Sequence, residues 1–505
     1  MSTSWGSIAN LRDKLLRRAK ILATLGPSTR EPGVIEAMLA AGVDGVRINM
    51  SHGTYDEKAE DIHMARDAAE KMNRPLAILA DLSGPKIRTR TLKNHQPVRL
   101  QANQQFTITT RSIEGDSSQV ATNYDGMPRD VHPDARMLLD DGAIELRVES
   151  VTDTDIVTRV INGGSLGERK GINLPGVTLQ IPSLTQKDRE DLKWAASQGV
   201  DYFALSFVRS GKDCAEAKQL IQEASSKAPL VAKIEKAEAI DHLGEIIDAA
   251  DGVMVARGDL GVETSVELVP VYQKQIIERA NDAGKVVITA TQMLQSMVEN
   301  PRPTRAEATD VANAVWDGSD CLMLSGETAT GKYSVAAVST MARIIETAET
   351  RDQNRPEMMS KIIGRQTGRV SRALCEAAAF AADEMSTRLI AVFTESGLMA
   401  RRLSALRPRQ RIVAMTSLRE VINELSLIWG VEPVLTPPSK SAEELLKVGE
   451  KTLIDAGLAS PREMIVIMAG RLSGLGLSSS VSLYQIGGEL EEGIHLSTVS
   501  DREKR

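Results

Sequence analysis

Eight short apolar segments recur along the first 325 residues, and this recurrence constrains the fold more than any other feature of the sequence. The stretches between them, such as 31–41, 188–198 and 272–282, are amphipathic and end at glycine, as helices often do. Alternating strands and helices favour a parallel sheet, and eight repeats favour a closed (β/α)8 barrel over the alternative of an open doubly wound sheet. The eight segments are residues 20–25, 43–49, 76–82, 202–207, 230–235, 252–257, 286–291 and 321–325, and the glycines are Gly42, Gly199 and Gly284.

Polar side chains follow nearly every apolar segment, at the end where barrel enzymes build their active sites. Some lie two residues apart, which places both side chains on one face of a strand. Strand ends are also often polar merely because they meet water, but hydroxyl or charged groups at almost every end favour a site. The residues concerned include Arg47, Asn49, Ser51, Asp81, Ser206, Arg209, Lys233, Glu235, Arg257, Asp259, Thr291, Ser325 and Glu327.

Two parts of the chain do not fit the barrel pattern. Residues 86–183 lack helical periodicity and carry strand-like pieces with turns, which predicts an inserted small β-barrel that acts as a lid. After about residue 350 the strand and helix alternation resumes, which predicts a separate open α/β domain. The predicted ranges are 1–18 for an N-terminal segment, 19–85 and 184–350 for the barrel, 86–183 for the lid, 351–490 for a C-terminal regulatory domain and 491–505 for a tail.

Composition excludes several classes of function. Aromatic residues make up 3% of the chain and the net charge is −7, so neither base stacking nor a global attraction to phosphate backbones or anionic membranes is expected. No apolar run is long enough to span a membrane. The scattered cysteines Cys214, Cys321 and Cys375 have no metal-type spacing and suit a reducing compartment. We expect a cytoplasmic protein with no nucleic acid or membrane partner.

The charged groups at the strand ends are those that phosphoryl transfer requires. Glu235 and Asp259 end consecutive strands, which lie about 5 Å apart, and a divalent cation between them would relieve their repulsion. Lys233 adds a mobile positive charge, and Gly258 lets a ligand approach the backbone. Catalysis of this kind relies on positioning and on stabilising the transferring charge. No P-loop sequence of the form GxxxxGK[ST] is present, and Arg257 is expected to orient its loop through an ion pair.

The sequence also resembles the pyruvate kinase family along nearly its whole length. The segments that carry the resemblance occur in the order of the family's motifs. They are RINMSHGTYDE (47–57), DLSGPKIRTR (81–90), KGINLPG (170–176), AKIEKAEAI (232–240), VARGDLGVE (255–263), TATQMLQSM (289–297), NPRPTRAEATDVANAV (300–315) and LSGETATGKY (324–333).

The resemblance implies transfer of the phosphoryl group of phosphoenolpyruvate to ADP, giving pyruvate and ATP. It implies Mg²⁺, with Mn²⁺ as a substitute, on Glu235 and Asp259, and Lys233 as the group that stabilises the phosphoryl group in flight. The resemblance also implies that Arg47 contacts the substrate phosphate and that Gly258, Asp259 and Thr291 bind the substrate carboxylate. It implies that Thr291 and Ser325 deliver a proton, and that Asn49, His52 and Arg88 contact the nucleotide. Ser210 departs from the family, which often has a lysine there, so no nucleotide contact is assigned to it.

Lys86 and Leu82 resemble the branch of the family that does not require K⁺. Asn49, Ser51 and Asp81 would form an oxygen-rich region for a monovalent cation, and the Lys86 ammonium would supply that charge instead. The alternative is a solvated lysine in the hinge of the lid.

A phosphorylated allosteric effector is the expectation for the C-terminal domain. Thr394, Ser396 and Gly397 follow a predicted strand and precede a helix, and they resemble the family's effector-phosphate loop. An ordinary helix cap by Ser396 is the alternative, and a second loop at 470–480 could close over the same ligand. The resemblance also implies a homotetramer.

Two other functions remain open from the residues alone. A Mg²⁺-dependent barrel lyase also pairs Glu with Asp at strand ends, but it needs neither a nucleotide-side set nor a lid. A sensor without catalytic activity would not need to retain Lys233, Glu235 and Asp259 together.

Overall fold

The computed structural model describes residues 17–350, 369–469 and 480–488, and its first part contains three strands separated by helices. Helix α1 ends at Gly42, whose φ of 118° is in the left-handed region, and α2 begins at Thr54 with a reciprocal cap to Glu57. These elements are β1 (Lys20–Thr24), α1 (Val34–Ala41), β2 (Gly45–Asn49), α2 (Tyr55–Lys71) and β3 (Ala77–Asp81).

The chain leaves the barrel after β3 through a turn at Gly84. The φ of Gly84 is +65°, and a Cβ there would lie 2.7 Å from the Phe207 ring, so only glycine fits. The insert that follows contains β4 (Val98–Leu100), β5 (Gln105–Thr109), β6 (Gln119–Ala121), α3 (Met127–Asp130), β7 (Arg136–Leu139), β8 (Ile144–Val151), β9 (Asp155–Asn162), β10 (Gly164–Leu166) and β11 (Ile172–Asn173).

The insert has its own hydrophobic core, in which Phe106, Met137 and Ile156 are fully buried. Its strands form a six-stranded sheet in the order β11-β7-β8-β9-β5-β6 and a two-stranded sheet of β10 and β4. Residues 88 and 89 bridge to Gly171, beside β11, and to Thr122, beside β6, and these are the two edges of the six-stranded sheet. The larger sheet is thus closed as the small β-barrel expected from the sequence, while β4 and β10 form a separate pair.

The second part of the barrel completes a closed ring of eight parallel strands. Strand β1 pairs with β2 on one side and with the last barrel strand on the other, so the open doubly wound alternative is wrong. The elements are α4 (Gln186–Ser197), β12 (Tyr202–Leu205), α5 (Gly211–Glu223), β13 (Leu230–Ile234), α6 (Ala237–Asp241), α7 (Leu243–Ala249), β14 (Gly252–Ala256), α8 (Arg257–Glu263), α9 (Val269–Asp282), β15 (Val286–Ala290), α10 (Arg305–Trp316), β16 (Cys321–Leu324), α11 (Gly326–Ala329) and α12 (Ser334–Thr350).

The C-terminal domain is an open five-stranded sheet in the order β19-β18-β17-β20-β21, as the alternation predicts. The last strand, β21, is antiparallel to β20. The domain consists of α13 (Arg369–Glu384), β17 (Leu389–Phe393), α14 (Leu398–Ala405), β18 (Arg411–Thr416), α15 (Arg419–Leu425), β19 (Val431–Leu435), α16 (Ala442–Asp455), β20 (Met464–Ala469) and β21 (Ser480–Gln485).

The C-terminal domain packs against the amino-terminal ends of the barrel strands. Arg407 forms a buried ion pair with Asp320, at 2.8 Å, just before β16. The Tyr202 hydroxyl, at the start of β12, donates to the carbonyl oxygen of Glu424 at 2.7 Å. The carboxyl ends of the barrel strands thus remain on the opposite side, facing the insert.

Several sequence predictions lie outside the described residues. These are most of the N-terminal segment 1–18, the second Gly- and Ser-rich loop at 470–479, and the tail 491–505. Within the ranges that the structure describes, no helix combines the length and apolar character needed to cross a membrane.

Candidate active site

Lys233 lies at the centre of a buried network at the carboxyl end of the barrel. Its ammonium is 2.9 Å from Glu235 Oε1 and 3.2 Å from Asp81 Oδ1, and it donates to Ser206 Oγ at 2.7 Å. Burial alone would lower the pKa of Lys233, but the carboxylates of Asp81 and Glu235 outweigh it and raise the pKa above its usual value. Lys233 is therefore a fixed positive charge at neutral pH.

Asp81 joins Lys233 to Arg47. Arg47 Nε donates to Asp81 Oδ2 at 2.6 Å, and its NH1 donates to Thr24 Oγ1 at 3.3 Å. Burial would raise the pKa of Asp81, but Lys233 and Arg47 together hold it below its usual value. The two cations are thus placed on the same side of the barrel mouth by one ionised carboxylate.

Glu235 and Asp259 are close enough to influence each other's charge. Burial raises the pKa of Glu235 and the negative charge of Asp259 raises it further, while Lys233 opposes the rise. Glu235 is 1% exposed, and its Oε2 accepts from the Phe207 backbone N–H at 2.8 Å. A divalent cation between the two carboxylates would relieve their mutual repulsion, and carboxylates are ligands that Mg²⁺ accepts.

The donor set fits Mg²⁺ better than a transition metal. Within residues 17–350, 369–469 and 480–488, no three His, Cys, Asp or Glu side chains cluster as ligands for a metal. Two carboxylates completed by substrate oxygens and water is the pattern that Mg²⁺ accepts.

Arg257 fixes the backbone beside Asp259. Its NH1 forms an ion pair with Asp310 Oδ1 at 2.6 Å, and its other nitrogens donate to the carbonyl oxygens of Ala290, at 3.2 Å, and Thr291, at 2.7 Å. The ion pair expected from the sequence is present. The ion pair ties the start of α8 to α10, and the two hydrogen bonds tie it to the end of β15. Asp259 itself lies on the short helix α8 rather than on a loop.

Gly258 and Thr291 contact each other across these two strand ends. Thr291 Oγ1 accepts from the Gly258 N–H at 2.8 Å and donates to the Ala290 carbonyl oxygen at 2.6 Å. Thr291 has a φ of 70°, which is rare for a β-branched residue and is typical of functional sites. A Cβ on Gly258 would lie 3.6 Å from Thr291, so glycine keeps the space in front of the hydroxyl open.

Ser325 follows β16 and carries a buried hydroxyl that has no hydrogen-bond partner among the described residues. Its backbone N–H donates to Glu327 Oε2 at 2.7 Å, and the other oxygen of Glu327 accepts from the Leu294 N–H at 3.0 Å. Buried hydroxyls are normally paired, so an unpaired one at a strand end is consistent with a group that meets a ligand.

The residues predicted to contact the nucleotide lie among positive charges. His52 has a lowered pKa, first because of burial and then because of Arg88, Lys86, Lys58 and Arg47. Four cations around a neutral imidazole form an anion-binding region suited to phosphate groups.

The other groups of this region make local contacts. Asn49 Oδ1 accepts from the Ser51 N–H at 3.1 Å. Arg88 donates to the carbonyl oxygen of Arg169 in the insert at 3.4 Å.

The monovalent-cation region differs from the arrangement expected for it. Lys86 Nζ lies 3.9 Å from Asp259 Oδ1, while the oxygens of Asp81 are occupied by Arg47 and Lys233. Leu82 is fully buried in the barrel core. The Lys86 ammonium thus lies beside the candidate metal ligand Asp259 and does not pair with Asp81.

A cleft separates the insert from the barrel mouth, with about 740 Å³ of space when the part open to solvent is included. Its barrel wall includes Asp259, Arg209 and Lys236, and its other wall is the insert and its hinges, including Lys86 and Asn173. The cleft opens directly onto the candidate metal ligand.

In the C-terminal domain, the candidate effector loop is organised by Thr394. Thr394 Oγ1 accepts from the Gly397 N–H at 2.9 Å, and Gly397, with a φ of 72°, is the N-cap of α14. The alternative in which Ser396 caps the helix is therefore wrong. Ser396 is exposed, and its carbonyl oxygen accepts from Arg401 at 2.7 Å.

The sequence did not indicate the roles of Asp81, Ser206, Thr24 and Glu327. The sequence predicts Asp81 as a strand-end residue of the cation region, and the structure makes it the link between Arg47 and Lys233. All four are polar residues at or just after strand ends, which is the signal that could have identified them.

The chain matches known proteins over most of its length. The family model described as "Pyruvate kinase, barrel domain" matches residues 16–338, and the one described as "Pyruvate kinase, alpha/beta domain" matches residues 372–482. The pyruvate kinase of Staphylococcus aureus strain USA300 is 38% identical over 485 residues, which cover 95% of this chain and 82% of that protein. The crystal structure of a pyruvate kinase from Cryptosporidium parvum superposes with a TM-score of 0.87 at 34% identity, covering 93% of this chain and 96% of the other.

Proposed function

The chain belongs to the pyruvate kinase family and transfers the phosphoryl group of phosphoenolpyruvate to ADP in glycolysis, and from this premise we propose which of its residues carry the reaction. The observation that supports the assignment most strongly is the buried network of Lys233, Asp81, Glu235 and Arg47 beside Asp259. It fixes two cations in place through carboxylates where a phosphoryl group would pass, and it contains no strong nucleophile of its own.

Lys233 stabilises the negative charge that develops on the phosphoryl oxygens and on the enolate. Its ammonium is already held by Ser206 and two carboxylates, so it needs no reorganisation during the reaction. Arg47, fixed by Asp81, presents a planar guanidinium to the substrate phosphate.

Glu235 and Asp259 would hold the divalent cation. Pyruvate kinases generally use Mg²⁺, and we propose that Mn²⁺ can replace it here. When bound, the cation supplies positive charge that neutralises substrate oxygens. Glu235 remains anchored by the Phe207 N–H through Oε2 and by Lys233 at Oε1, so its orientation is set before any ligand binds.

Gly258, Asp259 and Thr291 form the cradle for the substrate carboxylate. The Gly258 N–H and the Thr291 hydroxyl now bond to each other, and both groups would turn to the carboxylate on binding. Ser325, with its unpaired buried hydroxyl among the described residues, and Thr291 would lead a proton from water to the enolate carbon.

Asn49, His52 and Arg88 contact the nucleotide in this proposal. His52 stays neutral because burial and the surrounding cations lower its pKa, so the positive charge that meets the ADP phosphates comes from Arg88 and its neighbours.

An assay coupled to pyruvate reduction separates this function from its alternatives. We expect pyruvate to form only when phosphoenolpyruvate, ADP and Mg²⁺ are all present. Product formation without ADP would indicate a lyase, and binding of phosphoenolpyruvate without turnover would indicate a sensor.

We propose that Lys86 replaces K⁺. Its ammonium, 3.9 Å from Asp259 and close enough to lower the pKa of His52, already provides a positive charge near the substrate phosphate. We expect full turnover with Mg²⁺ and a bulky organic cation in place of K⁺, whereas Lys86→Glu should make turnover depend on added KCl at constant ionic strength. The matched control is Lys93→Glu, which reverses the charge of another lid lysine that pairs with Asp116. A many-fold stimulation of the unmodified enzyme by KCl would contradict the proposal.

We propose that a sugar phosphate or nucleoside monophosphate activates the enzyme at Thr394, Ser396 and Gly397. Arg401 bonds to the Ser396 carbonyl oxygen and pairs with Glu424 at 3.2 Å, and Glu424 in turn accepts from Tyr202 of the barrel. This chain of contacts connects the loop to β12.

A panel of phosphorylated metabolites tests the effector proposal. We expect at least one to lower the concentration of phosphoenolpyruvate at half-maximal rate by about five-fold or more. Thr394→Ala should remove the response, whereas Thr416→Ala, an equally buried threonine at the end of β18, should not. Flat kinetics across the panel would exclude the effector.

We also propose a homotetramer and a cytoplasmic location. Membership in a glycolytic family supports both proposals, and light scattering of the purified protein measures the oligomeric state. The domain ranges given above, 86–183 for the lid and 351–490 for the regulatory domain, stay predictions.

A further inference from the structure

The insert contacts the barrel mouth through a buried carboxylate, Glu263. Glu263 is 5% exposed and is the last residue of α8. Its Oε1 accepts from Asn173 Nδ2 at 2.7 Å and lies 2.8 Å from Lys236 Nζ. Asn173 belongs to β11 of the insert, whereas Lys236 follows the barrel strand β13, so one oxygen joins the two domains.

Lys236 offsets the free-energy cost of burying the Glu263 carboxylate. A buried charge without a partner is costly, and removing one partner of such a pair is strongly destabilising. The Lys236 side chain is 15% exposed and lies 5.9 Å from the centre of the Phe207 ring. Glu263 therefore keeps a cationic partner, and remains available as an acceptor, whether or not Asn173 is in place.

Glu263 also shares an element with the candidate metal ligand. Asp259 and Glu263 are four residues apart on α8, so their side chains lie on one face of the helix. Both line the cleft between the insert and the barrel. A displacement of Glu263 by the insert would therefore also displace α8, the helix that carries Asp259.

A second contact joins the Arg209 side chain of the barrel to backbone carbonyl oxygens of this part of the chain. Arg209 donates to the carbonyl oxygens of Leu179, at 2.6 Å, and Ile181, at 2.8 Å, where the chain returns to the barrel. That contact holds the hinge. The Asn173 contact lies further into the insert and sets the position of β11 over the cleft.

From this geometry we infer that Glu263 is a positioning residue, which docks the insert on the barrel mouth through Asn173 and is held ready by Lys236. Docking places β11 over the cleft beside Asp259 and so favours the arrangement that binds phosphoenolpyruvate. The effect on kinetics rests on the proposed role of Asp259, but the docking itself does not.

Hydrogen exchange of the full-length protein, followed by mass spectrometry, tests the docking. In Asn173→Ala we expect the backbone of residues 172–181 to exchange about ten-fold faster, because a hydrogen bond to a charged group is lost. Asn173→Asp should accelerate exchange further, since a second carboxylate would face Glu263. Asn173→Gln retains the amide and should recover part of the protection.

Asn162→Ala is the matched control. Asn162 also donates to a glutamate, Glu145 at 3.0 Å, but both residues lie within the insert. This variant should leave exchange at 172–181 unchanged. Because the insert has its own core, neither variant is expected to unfold it.

Steady-state kinetics provide the second readout. The KM for phosphoenolpyruvate should rise several-fold in Asn173→Ala with little change in kcat, because saturating substrate restores the docked arrangement. Unchanged exchange at 172–181, or faster exchange with an unaltered KM, would overturn the inference. An Asp259 variant that loses activity but keeps wild-type exchange at 172–181 bears only on the proposed metal site. Failure of the docking inference is therefore distinguishable from failure of the proposed function.

Discussion

Substituting Lys233 by Met is expected to abolish pyruvate formation while divalent-cation binding remains measurable. Methionine keeps an unbranched apolar side chain one atom shorter than lysine but removes the ammonium that contacts Asp81, Glu235 and Ser206 together. Loss of a group that stabilises transferring charge costs about 10³-fold or more in kcat. The coupled assay measures the rate, and Mn²⁺ titration followed by electron paramagnetic resonance measures the metal.

The control for this variant is Lys332→Met, which removes a surface lysine paired with Glu299 and 67% exposed. It should leave kcat and KM unchanged. Pyruvate formation at near wild-type rates by the Lys233→Met enzyme would show that another group stabilises the transition state. Loss of Mn²⁺ binding in that variant would instead indicate that the two carboxylates depend on Lys233 for their arrangement.

Asp259→Ala is expected to lower kcat/KM by at least about 10²-fold, or about 2.7 kcal/mol in transition-state stabilisation. The carboxylate is one of the two proposed metal ligands, and its removal leaves Glu235 alone to hold the cation. Mn²⁺ affinity should fall together with activity, and raising the Mg²⁺ concentration should recover part of the rate.

Asp155→Ala is a matched control, because Asp155 is also 27% exposed and ion-paired but lies in the insert, where it pairs with Arg111. Its removal should alter neither metal affinity nor kcat/KM. Near-normal turnover by the Asp259→Ala enzyme would overturn the metal assignment and leave Glu235 without its proposed partner.

The candidate site was largely predictable because it lies at strand ends. Short apolar segments identify parallel strands buried on both faces, and the residue after each segment must lie at the same edge of a barrel. Arg47, Lys233, Glu235, Asp259, Thr291 and Ser325 were located in this way, and their roles came from the family resemblance. The chemistry of each strand end is local, so it is visible in the order of the residues.

Partnerships within the site were less predictable, because they depend on distances between strands. The sequence assigned Asp81 to a monovalent-cation region, whereas the structure has its carboxylate between Arg47 and Lys233. Likewise Lys86 points to Asp259, a residue 173 positions away in the chain (259 − 86). Which carboxylate a flexible lysine reaches is decided by how the insert packs on the barrel.

The sequence by itself determined the number and order of the strands in the barrel and in the C-terminal domain, the class of each domain and the residue types at the barrel mouth, since periodicity and strand-end chemistry are properties of neighbouring residues. Only the tertiary structure decided that the eight strands close through β1 and β16, that β21 runs antiparallel, and that residues 88 and 89 join the two edges of the six-stranded sheet in the insert. It also decided that Asn173, Lys236 and Glu263 meet. The physical reason is that strand pairing, domain docking and ion pairing join residues far apart in the chain, and their free energies depend on geometry that no local pattern specifies.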